Sequence, residues 1–156
     1  MTTATVQQES SGAVSVLAIL VIVAGALLLV AGIFTWFNVS NQLADENITV
    51  AGDAERFSGE AVQGPLTAYE QAAVINKHAL EATGGLTYAQ LDNEDPARQT
   101  AMTASFLRAS LYTSVVAFGI ALMADGIGLA LILIGAALLF INRPATFEVI
   151  IDSEGG

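Results

Sequence analysis

The chain has 156 residues, 54% of them apolar and only 13% charged, with a formal net charge of −10 and a mean hydropathy of +0.62. Apolar content on this scale with so little charge excludes an ordinary soluble domain, and the acidity makes the chain a poor partner for nucleic acid or an anionic lipid surface. Cysteine is absent, which excludes disulfides, thiolate metal ligands and thiol nucleophiles.

The first eleven residues form a tail with no Lys or Arg. From Ser10 to Ala44 no residue is charged. A helix needs only about 20 apolar residues to cross a hydrocarbon core of about 30 Å, so residues 12–37 are predicted to be the first transmembrane helix. A cleaved signal peptide is the alternative. It calls for a basic start, a shorter apolar run and a small-residue cleavage site, whereas this run ends in Phe34, Trp36 and Phe37, which suit a headgroup belt. Retention of the helix is expected.

Residues 38–107 form an acidic loop domain, with ten Asp or Glu against three Lys or Arg between Asp45 and Arg98. "NITV", Asn47 to Val50, reads as a short extended piece, and Gly52 and Gly64-Pro65 as turns. Thr67 followed by Glu70 fits a capping box, and Gly84-Gly85 fits a C-terminal stop. The helix between them is predicted to bury one stripe of Tyr69, Ala72, Ala73, Asn76, Ala79 and Leu80. Thr87 with Gln90 starts a further short turn. Asp95 before Pro96 reads as an N-cap with proline at the first helical position, so the next helix starts outside the bilayer. A loop of some sixty residues buries little by itself, and a partner or the membrane face is expected to complete it.

A second apolar run spans Ala109 to Asn142 and is broken only by Asp125. Residues 108–142 are predicted to be the second transmembrane helix, followed by an acidic tail at 143–156. The expected fold is an all-α membrane protein: a two-transmembrane-helix hairpin with a small, mainly helical loop domain and both tails on one side. Arg143 follows helix two, while Arg56, Lys77, Arg98 and Arg108 lie in or beside the loop. Taken literally the positive-inside count places the loop in the cytoplasm, but long loops translocate regardless of charge, so orientation stays open at this point.

His78 is the only histidine, with Glu81 three residues on, a spacing that shares a helix face. A facial iron triad needs two His and one carboxylate, and catalytic zinc needs two or three His or Cys. A carboxylate-only site favours calcium or magnesium, but the spacing of a calcium loop is missing. No serine has a second histidine or a G-x-S-x-G setting to activate it. The chain is therefore expected to be a non-enzyme without cofactor or metal, with His78 and Glu81 on a solvated face or at a partner contact.

Both membrane helices carry small residues every seven positions: Ser11, Ala18, Gly25 and Gly32 in the first, Ser114, Ala121, Gly128 and Gly135 in the second. A seven-residue period keeps a stripe on one face of a supercoiled pair, and small residues let backbones approach closely. Ala18, Gly25, Gly32, Ala121, Gly128 and Gly135 are the predicted packing positions, against each other or against a larger partner. Ala124 with Gly128 and Gly126 with Ala130 add a second face. Asp125 lies 18 residues before Arg143, about 27 Å along a helix. An ionised Asp at the bilayer centre costs about 2.5 to 3.5 kcal/mol, so it is expected to be neutral or paired. Either a proton or ion relay or a partner contact accommodates it. One isolated acid makes no pathway, so Asp125 joins Tyr69, His78 and Glu81 as a candidate partner contact.

The runs "NQLADENITV" and "GPLTAYEQAAVINKHALEATGGLTYAQLDNEDPARQTAMTASFLRASLYTSVVAFG", with "HALEATGG" and "SFLRASL" as the most distinctive words, resemble a family of small two-helix membrane proteins of actinobacteria. Members often carry the label "aromatic ring-opening dioxygenase", which the ligand count above does not support. The resemblance extends to accessory subunits of the actinobacterial cytochrome bcc–aa3 respiratory supercomplex. It implies a plasma-membrane protein with cytoplasmic tails, an extracytoplasmic loop and a non-catalytic role, with complex subunits and lipids as partners. It supplies no catalytic residue. The tail "FEVIIDSEGG" lies outside the matching core. A free-standing cell-envelope binding or assembly factor is the alternative.

Overall fold

The structure, a computed structural model, describes residues 2–8 and 10–151, with side chains placed for 10–144. The order is strand β1 (Thr2–Gln8), helices α1 (Gly12–Asp45), α2 (Pro65–Ala82) and α3 (Ala97–Ile141), and strand β2 (Ala145–Ile151). α1 and α3 are each long and apolar enough to cross a membrane. The chain divides into two compact units, Met1–Val30 with Gly126–Gly156, and Ala31–Asp125.

In the first unit α1 and α3 run antiparallel with their backbones almost touching. A Cβ placed on Gly25 would lie 2.6 Å from the Gly128 carbonyl oxygen, and one on Gly128 would lie 2.6 Å from that of Gly25. Gly135 meets the Ala18 carbonyl in the same way, at 2.8 Å, and Ala18 is fully buried. The two stripes of small residues thus cover each other. Asn142 closes this unit: its amide accepts from the Ser11 N–H at 3.0 Å and donates to the Ser11 carbonyl at 2.8 Å and the Ser15 hydroxyl at 3.0 Å. β1 and β2 pair antiparallel, Thr2 opposite Ile151 and Gln8 opposite Ala145. The sequence reading assigned no secondary structure to these tails.

The second unit has its own seam and a small core. Gly32 packs on α3, where an added Cβ would lie 2.7 Å from the Ala121 carbonyl oxygen. Trp36 meets Phe118 edge-on, with centroids 4.7 Å apart. Leu43, Val50, Val62, Ala68, Ala72, Leu111 and Phe118 make the buried cluster. α1 continues to Asp45, past the predicted limit at Phe37, because Trp36, Val39 and Leu43 keep pointing into this cluster at helical spacing. It stops where Asn47 turns left-handed (φ 53°) and its amide donates to the Asp45 carbonyl.

The expected extended piece is one residue shorter, Ile48 to Val50, since Asn47 belongs to the turn: Val62 donates to Ile48, Val50 donates to Glu60, and Thr49 bridges Ala61. α2 begins two residues before the predicted cap. Gly64 is the N-cap, Pro65 opens the helix, and the Thr67 hydroxyl sits at the third position, accepting from the Gly64 N–H at 3.2 Å. Pro65 needs no amide partner, which is why Gly64-Pro65 starts a helix rather than making a turn. The buried face also differs from the predicted stripe. Ala68, Glu70, Ala72 and Val74 are buried, whereas Tyr69 and Ala73 are exposed. The 49–62 segment covers one flank of α2 and shifts the buried face toward itself. α2 ends at Gly84 and Gly85, both with positive φ, and the Gly85 N–H bonds back to the Leu80 carbonyl at 2.7 Å. Asp95 accepts from the Ala97 N–H at 2.7 Å and caps α3 as expected.

The seam gives a direct test. Gly128→Leu is expected to destabilise the solubilised protein by about 3 kcal/mol or more, through collision with the α1 backbone. Gly126→Leu, on the same helix but with open space around it, should stay within about 0.5 kcal/mol. Equilibrium unfolding of both variants in detergent measures the difference.

Candidate functional site

The functional candidates fall in the Ala31–Asp125 unit. His78 lies on the exposed side of α2, where its Nε2 is 2.9 Å from Oδ2 of Asp53. Lys77 Nζ is 2.9 Å from that same oxygen. Asp53, which the sequence reading did not single out, is the hub of this cluster, and Glu81 makes no hydrogen bond to His78. The hydrogen bonds from Lys77 and then His78 hold the Asp53 carboxyl down at about 2, against an ordinary value of 3.8. The same contact raises Lys77 above its ordinary 10.5. Together with the Gln71 amide oxygen accepting from the Ala51 N–H at 2.9 Å, the cluster straps the 51–60 segment onto α2. Arg56 adds a looser contact to Glu70 at 3.6 Å.

One carboxylate and one imidazole are two ligands. Among the described residues no group of three His, Cys, Asp or Glu side chains is placed to hold a metal ion. The chemistry this cluster offers is ion pairing.

Beside it, α2 and α3 enclose an open groove of about 490 Å³. Ile75, His78, Ala79 and Ala82 form one wall, and Thr103, Ala104 and Leu107 belong to the other. Tyr69 leans on Tyr112, centroids 5.8 Å apart, and Arg108 sits 5.9 Å from the Tyr112 ring centre. The Arg98 guanidinium donates to the Leu91 carbonyl at 2.7 Å and lies 4.1 Å from the Tyr88 ring centre, pinning the turn before α3.

Asp125 is set against Gly32. Its Oδ1 is buried and has no hydrogen-bond partner, and a Cβ on Gly32 would overlap it. The residue as a whole is only partly buried. Of the predicted positions, the structure therefore brings together Gly25 with Gly128, Ala18 with Gly135, and Gly32 with Ala121 and Asp125. Tyr69, His78 and Glu81 share α2 but make no common site. Asp53 and Asn142 escaped the sequence reading because each acts through one long-range contact that leaves no periodic trace.

The Asp53 strap carries a pH signature. Its carboxyl titrates lower in the folded protein than in the unfolded chain, so its stabilisation is complete above about pH 4. It is lost as pH falls from there through about 2, and Lys77 withdraws only above 10.5. Asp53→Asn should speed amide exchange in residues 51–60 at neutral pH, and the difference from wild type should shrink between pH 4 and pH 2. No family model, curated protein or solved structure matches this chain.

Proposed function

We propose that this chain is a non-catalytic accessory subunit of a larger integral membrane complex. In this reading its tails are cytoplasmic and its acidic loop unit lies outside the plasma membrane. The resemblance in "HALEATGG" and "SFLRASL" points to the actinobacterial cytochrome bcc–aa3 supercomplex as the host. The observation that supports docking is the uncovered apolar surface of the Ala31–Asp125 unit near and beyond the end of the apolar run. Leu66 is 66% exposed, Tyr69 51%, Phe106 67% and Leu107 50%. A loop unit built for water alone leaves few such side chains together. The small-residue stripes are covered by each other, so docking falls to these outward side chains and to lipid-facing helix surfaces.

The groove beside His78 favours a second reading, a free-standing envelope factor that holds an apolar ligand outside the membrane. The ring-cleaving dioxygenase reading has little support, since among the described residues no third His, Cys, Asp or Glu joins Asp53 and His78.

Purification through a tag on this chain in mild detergent separates the readings. Haem-containing partners in fixed ratio are expected. Recovery of the chain alone would overturn the subunit reading, and a small apolar molecule retained on that lone chain would favour the envelope factor. Stoichiometric iron on the lone chain would restore the enzyme.

A further inference from the structure

We propose that Asp125 is a membrane-embedded docking point for a helix of the host complex that carries a lysine or arginine at the same depth. The inference rests on the subunit reading above and names the chemistry of one of its contacts.

Asp125 is the single charged residue between Ala109 and Asn142. Along α3 it stands 17 residues from Arg108 and 18 from Arg143, about 25 Å from each, and so near the middle of the apolar span. The remaining basic side chains, Arg56, Lys77 and Arg98, belong to the loop and the first turn of α3. Each of these is engaged there, with Glu70, Asp53 and the Leu91 carbonyl respectively. Among the described residues no cation reaches the carboxyl.

The fold nevertheless makes room for it. Gly32 has no side chain where Oδ1 sits, and the close helix approach seals that oxygen away with no donor facing it. The residue keeps a partly exposed side, so the carboxyl can be reached from outside the seam. Intramembrane acids characteristically face a protein neighbour or a water-filled cavity and pair with an opposite charge or a backbone group. A cation from a neighbouring helix supplies charge and donor together, and at this depth the phosphates and amines of lipid headgroups are out of range. Small residues beside the carboxyl, Gly126 and Ala124, leave space for a long basic side chain to approach.

Two measurements on the full-length chain in its native membrane test this. Asp125→Asn keeps shape and hydrogen-bonding capacity but removes the charge. It should lower recovery of the partner in mild detergent by roughly tenfold or more while leaving the thermal midpoint of the isolated chain in place. A photo-crosslinking residue at Leu122, one turn away and 64% exposed, with Asp125 intact, should capture a partner helix containing Lys or Arg. If Asp125→Asn recovers partners at the wild-type ratio, or the captured helix lacks a basic residue, Asp125 makes no such contact. The proposal is then overturned and the subunit reading stands. If the wild-type chain has no partner at all, the subunit reading itself fails.

Discussion

The structure depends on how closely two backbones can pass. Within each unit α1 and α3 meet where one helix has glycine and the other offers a carbonyl, with no volume left for even a methyl group. Association here relies on dense contact between main chains rather than on large apolar side chains. Residues that are inconspicuous by composition become the ones that hold the protein together, while the large apolar side chains point outward. Val16, Leu20, Leu27, Ile120 and Leu133 are all exposed for this reason.

The loop unit follows a different logic. Its core is small and relies on polar straps at its margins: Asp53 to α2, Gln71 to the Ala51 amide, Ser40 to the Gln63 carbonyl, and Arg98 to the turn ahead of α3. α1 and α3 each contribute residues to the core, through Leu43, Leu111 and Phe118. Helical side chains at the end of the apolar run therefore supply part of the core that a sixty-residue loop lacks by itself. The apolar side chains that remain uncovered, Phe106 and Leu107 among them, are beyond what the unit uses for its own folding.

Legibility in the sequence tracked the range of the interaction. The long helices followed from long apolar runs, and the cap at Asp95 and the stop at Gly84-Gly85 followed from local backbone chemistry. The seven-residue stripes marked a contact face, but the pattern is the same whether the facing helix belongs to this chain or another. Only coordinates showed Gly25 against Gly128. The face of α2 was misjudged because Tyr69 counts as apolar in a periodicity argument. In the fold its ring rests on Tyr112 and its edge stays open, while Glu70 goes inward beneath the 49–62 segment. That segment has no period to read. Among the site candidates His78 was visible for its rarity. Its actual companion, Asp53, is 25 residues away and one of fifteen acids.

The Asn142 amide has a consequence for biogenesis. Ser11, the residue just before α1, donates its N–H to an acceptor 131 positions later in the chain. While the ribosome is still making α3, the N-terminal end of α1 lacks this acceptor. The latch closes only once α1 and α3 lie side by side in register. A nascent chain interrupted before Asn142 thus presents an unlatched hairpin end, a physical mark by which an incomplete product differs from a finished one.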